Sequence, residues 1–211
     1  MTTSEGAAPF VPLEHRYETL RGAIPACRGC ELYEHATQAV MGEGPTSGAI
    51  MFVGEAPGDH EDIEGKPFVG PAGEVFDKAL DAIGLLRKDI YVSNAVKHFK
   101  FTLRGKRRIH ETPRASEIRA CRPWVEAEID AVKPTLIVLM GGTAVQSLLD
   151  SSTKVLANRG HIIESDYGPC LITVHPSSIL RVPDPEWQEP AFKAFVADIR
   201  KVLPYLDAAG R

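Results

Sequence analysis

Short apolar runs, separated by segments with helical spacing, make up most of the chain. The first run, 49–53 (AIMFV), shows no alternation of polar and apolar residues. That pattern is typical of a strand buried on both faces of a parallel sheet. Further strands are predicted at 90–96, 135–140 and 170–174, with an edge strand at 161–164.

The segments between these strands carry apolar residues three and four positions apart, which is the spacing of one helix face. Helices are predicted at 12–20, 72–83, 116–132, 143–149 and 190–203. Pro123 is expected to kink or divide the third of them. Strands that alternate with helices imply right-handed crossovers. We therefore predict an α/β fold, a three-layer α/β/α sandwich around a central, mainly parallel four-stranded sheet.

The composition is that of a globular protein, which agrees with the predicted α/β fold. The chain has 211 residues, of which 44% are hydrophobic and 25% charged, so it can bury one sizeable core and we predict a single domain over 1–211. Residues 1–9 are small and polar and are predicted to form a flexible tail, and no run of eighteen apolar residues occurs. We expect a cytoplasmic monomer without membrane contact.

Loops that follow parallel strands meet at one rim of the sheet, where ligands bind in this architecture. Three such loops begin at Gly54, Asn94 and His175. The second leads into a basic stretch, because 97–108 holds six Lys or Arg and no Asp or Glu in a chain of net charge -4. A charge run of this kind is usually a solvated loop. At the rim it also fits a surface that binds nucleic acid.

Cys27 and Cys30 have the Cys-x-x-Cys spacing of a metal or redox site. Zinc and an iron–sulfur cluster both fit, whereas a redox dithiol fits less well because no strand precedes the pair. Two more ligands are required, and Cys121 and Cys170 are the obvious candidates. Cys170, however, begins a buried strand, where a free cysteine usually behaves as a small hydrophobic residue.

Four spaced motifs and one insertion carry a resemblance to a known family. The motifs 54–59 (GEAPGD), 65–70 (GKPFVG), 94–97 (NAVK) and 175–178 (HPSS) resemble those of the iron–sulfur uracil-DNA glycosylases. The insertion 106–110 (KRRIH) resembles the loop that distinguishes the UdgX branch of that group. The match runs in order from Cys27 to Arg181. It implies a uracil-DNA glycosylase-like fold and a DNA repair activity of the hydrolase class.

In that family an extruded uracil nucleotide enters a tight pocket. The resemblance implies that Phe68 stacks on the base and that Asn94 offers an acceptor and a donor to its N3–H and O4 edge. It also implies that His175 donates to O2 as the base leaves with negative charge. The alternatives are a core side chain for Phe68, a turn former for Asn94 and a helix cap for the His-Pro-Ser-Ser segment.

The first rim loop would supply a carboxylate and backbone N–H groups to the same pocket. Glu55 is expected to be catalytic, with Ala56, Gly58 and Asp59 as uracil-binding residues. Ala56 departs from the glutamine of the UdgX motif, so no side-chain role is carried over to it. A solvated acidic loop is the alternative for Asp59, and we prefer that interpretation for Glu61, Asp62 and Glu64.

The resemblance also implies DNA-binding and cluster-binding residues. The predicted DNA contacts are Lys106, Arg107, Arg108, Ser177, Ser178 and Arg181. In the ordinary iron–sulfur glycosylases a cysteine follows the Asn-x-x-Lys segment, and His98 has that position here. Imidazole can replace thiolate on iron. We therefore predict a 4Fe-4S cluster held by Cys27, Cys30, His98 and Cys121, with a DNA-facing His98 as the alternative.

His110 closes the insertion and gives the predicted function its particular form. A neutral imidazole beside the pocket would reach C1′ of the sugar and outcompete water through its effective concentration. The prediction is excision of uracil, preferably from single-stranded DNA, followed by covalent attachment of His110 to the abasic site. The alternatives are a conventional multiple-turnover uracil-DNA glycosylase and a non-catalytic iron–sulfur protein that binds single-stranded DNA.

Overall fold

A computed structural model of the chain describes residues 6–47, 50–150 and 152–206. Its centre is a five-stranded sheet with the spatial order β2-β1-β5-β7-β6, and a separate hairpin pairs β3 with β4. The strands are β1 (Ile50–Gly54), β2 (Ile90–Asn94), β3 (Phe101–Arg104), β4 (Arg107–His110), β5 (Leu136–Met140), β6 (Ile162–Ser165) and β7 (Gly168–Thr173). Ala49, which was predicted to begin the first strand, lies outside the described residues.

The predicted α/β sandwich with a mainly parallel sheet is confirmed. Strands β2, β1, β5 and β7 are parallel, and their order requires the predicted crossovers. The sheet has five strands because the predicted edge strand, β6, pairs antiparallel with β7 and extends it. Successive residues of β1 point to opposite faces, so Phe52 packs into one hydrophobic cluster and Met51 into another.

Helices cover both faces of the sheet. On one face α3, α7 and α8 pack against the strands, and on the other α4 and α5 do so. The helices are α1 (Tyr17–Ala23), α2 (Asp59–Glu64), α3 (Pro71–Asp81), α4 (Ala115–Val132), α5 (Gly142–Leu148), α6 (Val155–Asn158), α7 (Pro176–Leu180), α8 (Pro185–Ile199) and α9 (Leu203–Leu206).

Three helices differ from their predicted forms. Helix α1 begins at Tyr17 and ends at Ala23, whereas a helix over 12–20 was predicted. Helix α4 runs through Pro123 without division. Helix α8 begins at Pro185 rather than Pro190, because the Asp184 carboxylate caps it by accepting the Glu186 N–H at 2.9 Å. Within the described residues, no helix is long and apolar enough to cross a membrane.

The predicted N-terminal tail is only partly described. Residues 1–5 lie outside the described part of the chain. Of the remainder, Ala7 is buried, and its N–H donates to the Ala120 carbonyl at 2.7 Å. Residues 8–10 form a 3-10 helix. The segment from Ala7 onward is therefore packed against α4 and not free, which corrects the prediction for these residues.

The basic stretch is a β-hairpin and not the predicted loop. Strands β3 and β4 pair antiparallel, with Phe101 opposite His110 and Arg104 opposite Arg107. Gly105, the first of the two turn residues, has a φ of 64°. A two-residue turn of this hand requires glycine at that position. Because His110 belongs to a strand of the hairpin, its side chain points to one defined face, whereas a loop would not fix its direction.

Candidate active site at the carboxyl rim of the sheet

A cavity of about 470 Å³ opens at the rim where the loops after β1, β2 and β7 meet the hairpin. Its lining contains all the residues predicted for catalysis or uracil binding: Glu55, Ala56, Gly58, Asp59, Phe68, Asn94, His110 and His175. Two of the predicted DNA contacts, Ser177 and Arg181, line it as well. No role in the site was predicted for the remaining lining residues, which are His60, Glu61, Pro71, Ala72 and Ile109.

Backbone hydrogen bonds hold the first two rim loops together. The Ala95 N–H donates to the Gly54 carbonyl and the Val96 N–H to the Glu55 carbonyl, each at 3.0 Å. Gly54 is required by close approach, because a Cβ there would lie 2.5 Å from both Asn94 Oδ1 and Phe68 Cζ. The missing side chain lets the Asn94 amide and the Phe68 ring meet at the cavity floor.

Phe68 lies in the left-handed backbone region, with a φ of 54°. This conformation is unfavourable for a bulky residue and persists only where neighbours enforce it. Arg87 donates to the Phe68 carbonyl at 2.7 Å, and a Cβ on Gly73 would lie 1.9 Å from the same oxygen. The ring centroid is 5.4 Å from that of Phe76 and 5.7 Å from that of His175. Phe68 is thus both packed in the core and part of the cavity wall.

His175 is held in one tautomer. Its Nδ1 accepts the Ser177 backbone N–H at 3.2 Å, so the ring proton is on Nε2. Burial is the main cause that lowers the pKa of His175 to about 3, and His110 and Arg181 act in the same direction. At neutral pH His175 is therefore an uncharged ring with one N–H to donate.

Ser177 and Ser178 serve the short helix that follows His175. The Ser177 hydroxyl lies 2.8 Å from His175 Nδ1, and the Ser178 hydroxyl donates to the His175 carbonyl at 2.7 Å. The capping alternative therefore describes both side chains. Their phosphate contacts stay a prediction, as does that of Arg181.

His110 and Glu55 face each other across the cavity mouth. His110 Nε2 lies 3.5 Å from Glu55 Oε1, with 38% and 24% of the two side chains exposed. Thr143 donates to the other Glu55 oxygen at 2.7 Å and so orients the carboxylate. The Phe99 ring stacks on the imidazole with a centroid distance of 6.0 Å. Burial lowers the pKa of His110, although the Glu55 charge opposes the shift, so the ring is neutral at pH 7.

Arg108 fixes the hairpin to the body of the protein. Its Nε donates to Asp59 Oδ1 at 2.5 Å and its Nη1 to Asp62 Oδ2 at 2.6 Å. The guanidinium also lies over the rings of Phe99 and Phe101, 5.2 Å from each centroid. A DNA phosphate would have to compete with two carboxylates for this side chain. The predicted DNA contact of Arg108 therefore stays a prediction, and its observed contacts are internal.

Three other hairpin cations remain exposed. In the described part of the chain, Arg104, Lys106 and Arg107 form no ion pair. Arg104 was not predicted as a DNA contact, yet it lies directly opposite Arg107 in the hairpin. Two like charges in that register repel each other unless an anion lies between them. The strand pairing, which the sequence did not reveal, is what brings Arg104 beside Arg107.

The acidic loop is only partly solvated, which corrects the interpretation of Glu61 and Asp62. Glu61 is 8% exposed, and its carboxylate accepts the Gly58 N–H at 3.0 Å and the Gly70 N–H at 3.1 Å. It thereby joins the two loops that form one side of the cavity. Asp62 is fully buried between Arg108 and the Thr37 N–H. Glu64 is exposed, as predicted.

The predicted cluster cysteines share one region of the structure. Cys27 and Cys121 are buried in the same hydrophobic cluster, against which Cys30 packs. Each sulfur receives an N–H: Trp124 Nε1 donates to Cys27 at 3.1 Å, the Lys97 backbone to Cys121 at 3.2 Å and the Leu32 backbone to Cys30. Hydrogen bonds of this kind tune iron–sulfur clusters.

Cys170 lies elsewhere, and His98 is buried and uncharged. Cys170 packs in the cluster on the α4 and α5 face, with Ser165 Oγ 3.4 Å from its sulfur. His98 is 5% exposed, and burial lowers its pKa to about 4, assisted by the charge of Arg28. The imidazole is thus neutral, as a metal ligand must be.

A single metal ion and a four-iron cluster make different demands on these side chains. Among the described residues, no three His, Cys, Asp or Glu side chains converge closely enough to hold a single metal ion. In a four-iron cluster each iron takes its own protein ligand, so the ligands stand apart around the cluster. Two buried sulfurs and one half-buried sulfur, each with an N–H donor, and a neutral imidazole are ligands of the kind that such a cluster takes.

Comparison with known proteins gives a consistent result. A family model described as "Uracil DNA glycosylase superfamily" matches residues 41–200. The type-4 uracil-DNA glycosylase of Thermotoga maritima is 34% identical over 202 residues, which is 93% of this chain and 98% of that protein. The type-4 enzyme of Sulfurisphaera tokodaii is 38% identical over 191 residues, 88% and 79% of the two chains. The type-5 uracil-DNA glycosylase of Pyrobaculum aerophilum is 25% identical over 181 residues, 78% and 76% of the two chains.

Proposed function

The chain belongs to the uracil DNA glycosylase superfamily, and from that premise we propose that it excises uracil from DNA and then bonds covalently to the abasic site through His110. The observation that supports covalent attachment is the position of His110, whose neutral ring lines the cavity 3.5 Å from Glu55. The motif 106–110, which resembles the UdgX loop, supports the same conclusion.

Recognition of the base uses the cavity floor. The uracil ring stacks on Phe68, and the Asn94 amide accepts from N3–H and donates to O4. Cytosine presents the opposite pattern at these two positions, an acceptor at N3 and a donor at N4, so a fixed amide rejects it. The buried setting of Asn94, which is 3% exposed, supports this role because an unpaired amide is costly there.

Bond cleavage leaves charge on both fragments. The C1′–N1 electron pair departs with uracil, whose O2 accepts a hydrogen bond from the neutral Nε2–H of His175. The sugar becomes cationic at C1′, and the Glu55 carboxylate stabilises that charge electrostatically. Thr143 supports this role of Glu55, since its hydroxyl fixes the orientation of the carboxylate at 2.7 Å.

Attachment follows without consumption of water. The unprotonated ring nitrogen of His110 gives its electron pair to C1′ and forms the new N–C bond. The ring becomes positively charged, Glu55 offsets that charge, and the N–H proton is then lost to solvent while the uracil anion takes one up. An imidazole bonded to a sugar carbon is a poor leaving group. The adduct therefore persists, and each protein molecule acts once.

The proposal includes the surroundings of the cavity. The exposed cations Lys106 and Arg107 bind DNA phosphates, with single-stranded DNA preferred because its bases need no unpairing. Cys27, Cys30, Cys121 and His98 would hold a 4Fe-4S cluster, whose role would be structural, since it would tie the N-terminal segment to the base of the hairpin. The protein acts as a monomer.

The test uses labelled single-stranded DNA with one uracil, and thymine in its place as the control. Wild-type protein is expected to give a band that migrates slowly on a denaturing gel with uracil DNA alone. His110→Ala is expected to release uracil without that band. Abasic DNA and free uracil from wild type, with no retained band, would identify a conventional glycosylase instead. Bound DNA with intact uracil would identify a binding protein.

A further inference from the structure

A fully buried ion pair lies directly behind Asn94. Lys97 Nζ is 2.5 Å from Glu128 Oε2, and neither side chain has any exposed surface. Lys97 follows β2 by three residues, and Glu128 belongs to α4, so the pair joins the rim of the sheet to the helix layer. Neither residue was predicted to be buried.

Hydrogen bonds satisfy the pair completely. Lys97 Nζ donates to the Ser93 hydroxyl and to the Asn94 backbone carbonyl, each at 2.7 Å. Glu128 accepts from the Gly42 N–H at 2.7 Å, from the Ser93 hydroxyl at 2.7 Å and from the Tyr91 hydroxyl at 3.3 Å. The ammonium therefore folds back onto the last two residues of β2 and holds the turn in one conformation.

Stability does not by itself require this arrangement. Apolar side chains of similar volume often replace a buried ion pair without loss of stability, because they avoid the desolvation of two charges. The effect that apolar residues cannot reproduce is the hydrogen bond to the Asn94 carbonyl. That carbonyl belongs to the residue whose amide faces the cavity, and the nearby Val96 N–H is bonded to the Glu55 carbonyl at 3.0 Å.

We propose that Lys97 and Glu128 are positioning residues that fix Asn94 for the recognition of uracil. This inference rests on the proposed function, because it concerns how the same cavity selects its base. The ammonium fixes the Asn94 backbone, Glu128 holds the ammonium, and the amide then has one orientation toward the base. Without the charged pair the turn relaxes, and the amide no longer distinguishes uracil from cytosine.

The test variant is the double substitution Lys97→Met with Glu128→Gln. The introduced glutamine carries no charge, but its amide can still form hydrogen bonds with Gly42, Tyr91 and Ser93. The main bond that the double variant loses is therefore the one from the Lys97 ammonium to the Asn94 carbonyl. The matched control is Asp198→Asn, which removes the charge from a largely buried ion pair with Arg159 on the α8 side of the sheet. Melting temperature is measured for each protein.

Two functional readouts separate positioning from folding. One is the single-turnover rate of uracil release, expected to fall on the order of 10- to 100-fold in the double variant, as misplacement of a reacting partner does. The other is the ratio of two binding affinities. One is for single-stranded DNA that contains non-hydrolysable 2′-fluoro-deoxyuridine, and the other is for the same DNA with 2′-fluoro-deoxycytidine. The preference for uracil is expected to disappear, while affinity for thymine DNA and the Asp198→Asn results stay at wild-type values.

The outcomes distinguish this inference from the proposed function. If wild-type protein releases no uracil, the proposed function fails and the inference fails with it. If wild type releases uracil and a folded double variant keeps both its rate and its base preference within about twofold, the inference alone is overturned. Should the double variant not fold, Glu128→Gln is measured instead. A wild-type base preference in that variant overturns the inference as well.

Discussion

Replacement of Arg108 by methionine tests whether the hairpin must be docked for His110 to react. The guanidinium is the link between β4 and the acidic loop, since it bonds Asp59 at 2.5 Å and the buried Asp62 at 2.6 Å. Methionine keeps the apolar contact with the aromatic rings at the base of the hairpin and removes both ion pairs. The hairpin then loses its main polar anchor without a change in the strand pairing.

The magnitude follows from the two bonds. A hydrogen bond between charged groups with a buried acceptor contributes about 1.5–3 kcal/mol, and the half-exposed Asp59 pair at most about 1 kcal/mol. Asp62 keeps the Thr37 N–H and hydroxyl as donors, so the variant does not leave its carboxylate without partners. The docked hairpin is therefore destabilised by about 1.5–4 kcal/mol. We expect adduct formation to slow by roughly 10- to 100-fold, because the aromatic contacts retain part of the docking.

The assay compares adduct formation with uracil release in single turnover at saturating DNA. Uracil release is expected to fall much less than adduct formation, since Glu55, Asn94 and His175 lie on the sheet's own loops. Arg107→Met is the matched control, because it removes the neighbouring exposed cation. That variant should react at the wild-type rate once saturated, with the salt dependence of DNA binding reduced by about one counterion. An Arg108→Met protein that forms adduct as fast as wild type would refute the docking argument.

Other contacts lead to predictions that single experiments can check. Burial lowers the pKa of His110 below 6.5, so its neutral ring persists as the pH falls past 6.5. Single-turnover adduct formation should therefore decline only below that lowered pKa. A decline centred above pH 6.5 would contradict this. His175, with a pKa of about 3, should add no step above pH 4. Glu61→Leu should lower the free energy of unfolding by about 2–4 kcal/mol, measured by denaturant titration, because two loop N–H groups lose a buried carboxylate. Cys121→Ser should reduce bound iron, whereas Cys170→Ser should leave the iron content unchanged.

The sheet and the convergence of its rim loops were predictable because buried parallel strands leave a direct mark on the sequence. Runs such as that of β5 are apolar at every position, and right-handed crossovers then bring Gly54, Asn94 and His175 to one edge. The motifs added the chemistry of these positions. No comparable mark exists for the hairpin, whose strands are short, charged and largely exposed.

The different surroundings of Arg107 and Arg108 could not be predicted, because they result from the strand pairing of that hairpin. In a strand, neighbouring side chains point to opposite faces, so Arg108 turns toward Asp62 while Arg107 faces solvent. A loop interpretation treats the two residues alike. Glu61 was missed for a related reason: its partners are the backbone N–H groups of Gly58 and Gly70, and sequence does not show where such groups point.

The buried charges were also beyond sequence reasoning. Lys97 and Glu128 are 31 residues apart in the sequence, and lysine and glutamate usually lie on the surface. The fold brings this pair together in the interior, away from solvent. Pairing across that distance is a property of the tertiary structure alone. The departures from prediction therefore concern mainly polar side chains whose partners come from remote segments.

The number of uracil molecules released per protein molecule tests the central claim most directly. Protein and an excess of single-stranded uracil DNA are incubated together, free uracil is quantified over time, and the protein is digested so that the attached peptide can be identified by mass. We predict that release stops at one uracil per active protein and that the DNA fragment is bonded to His110. Continued release beyond one equivalent, or a fragment bonded to any other residue, would contradict this claim.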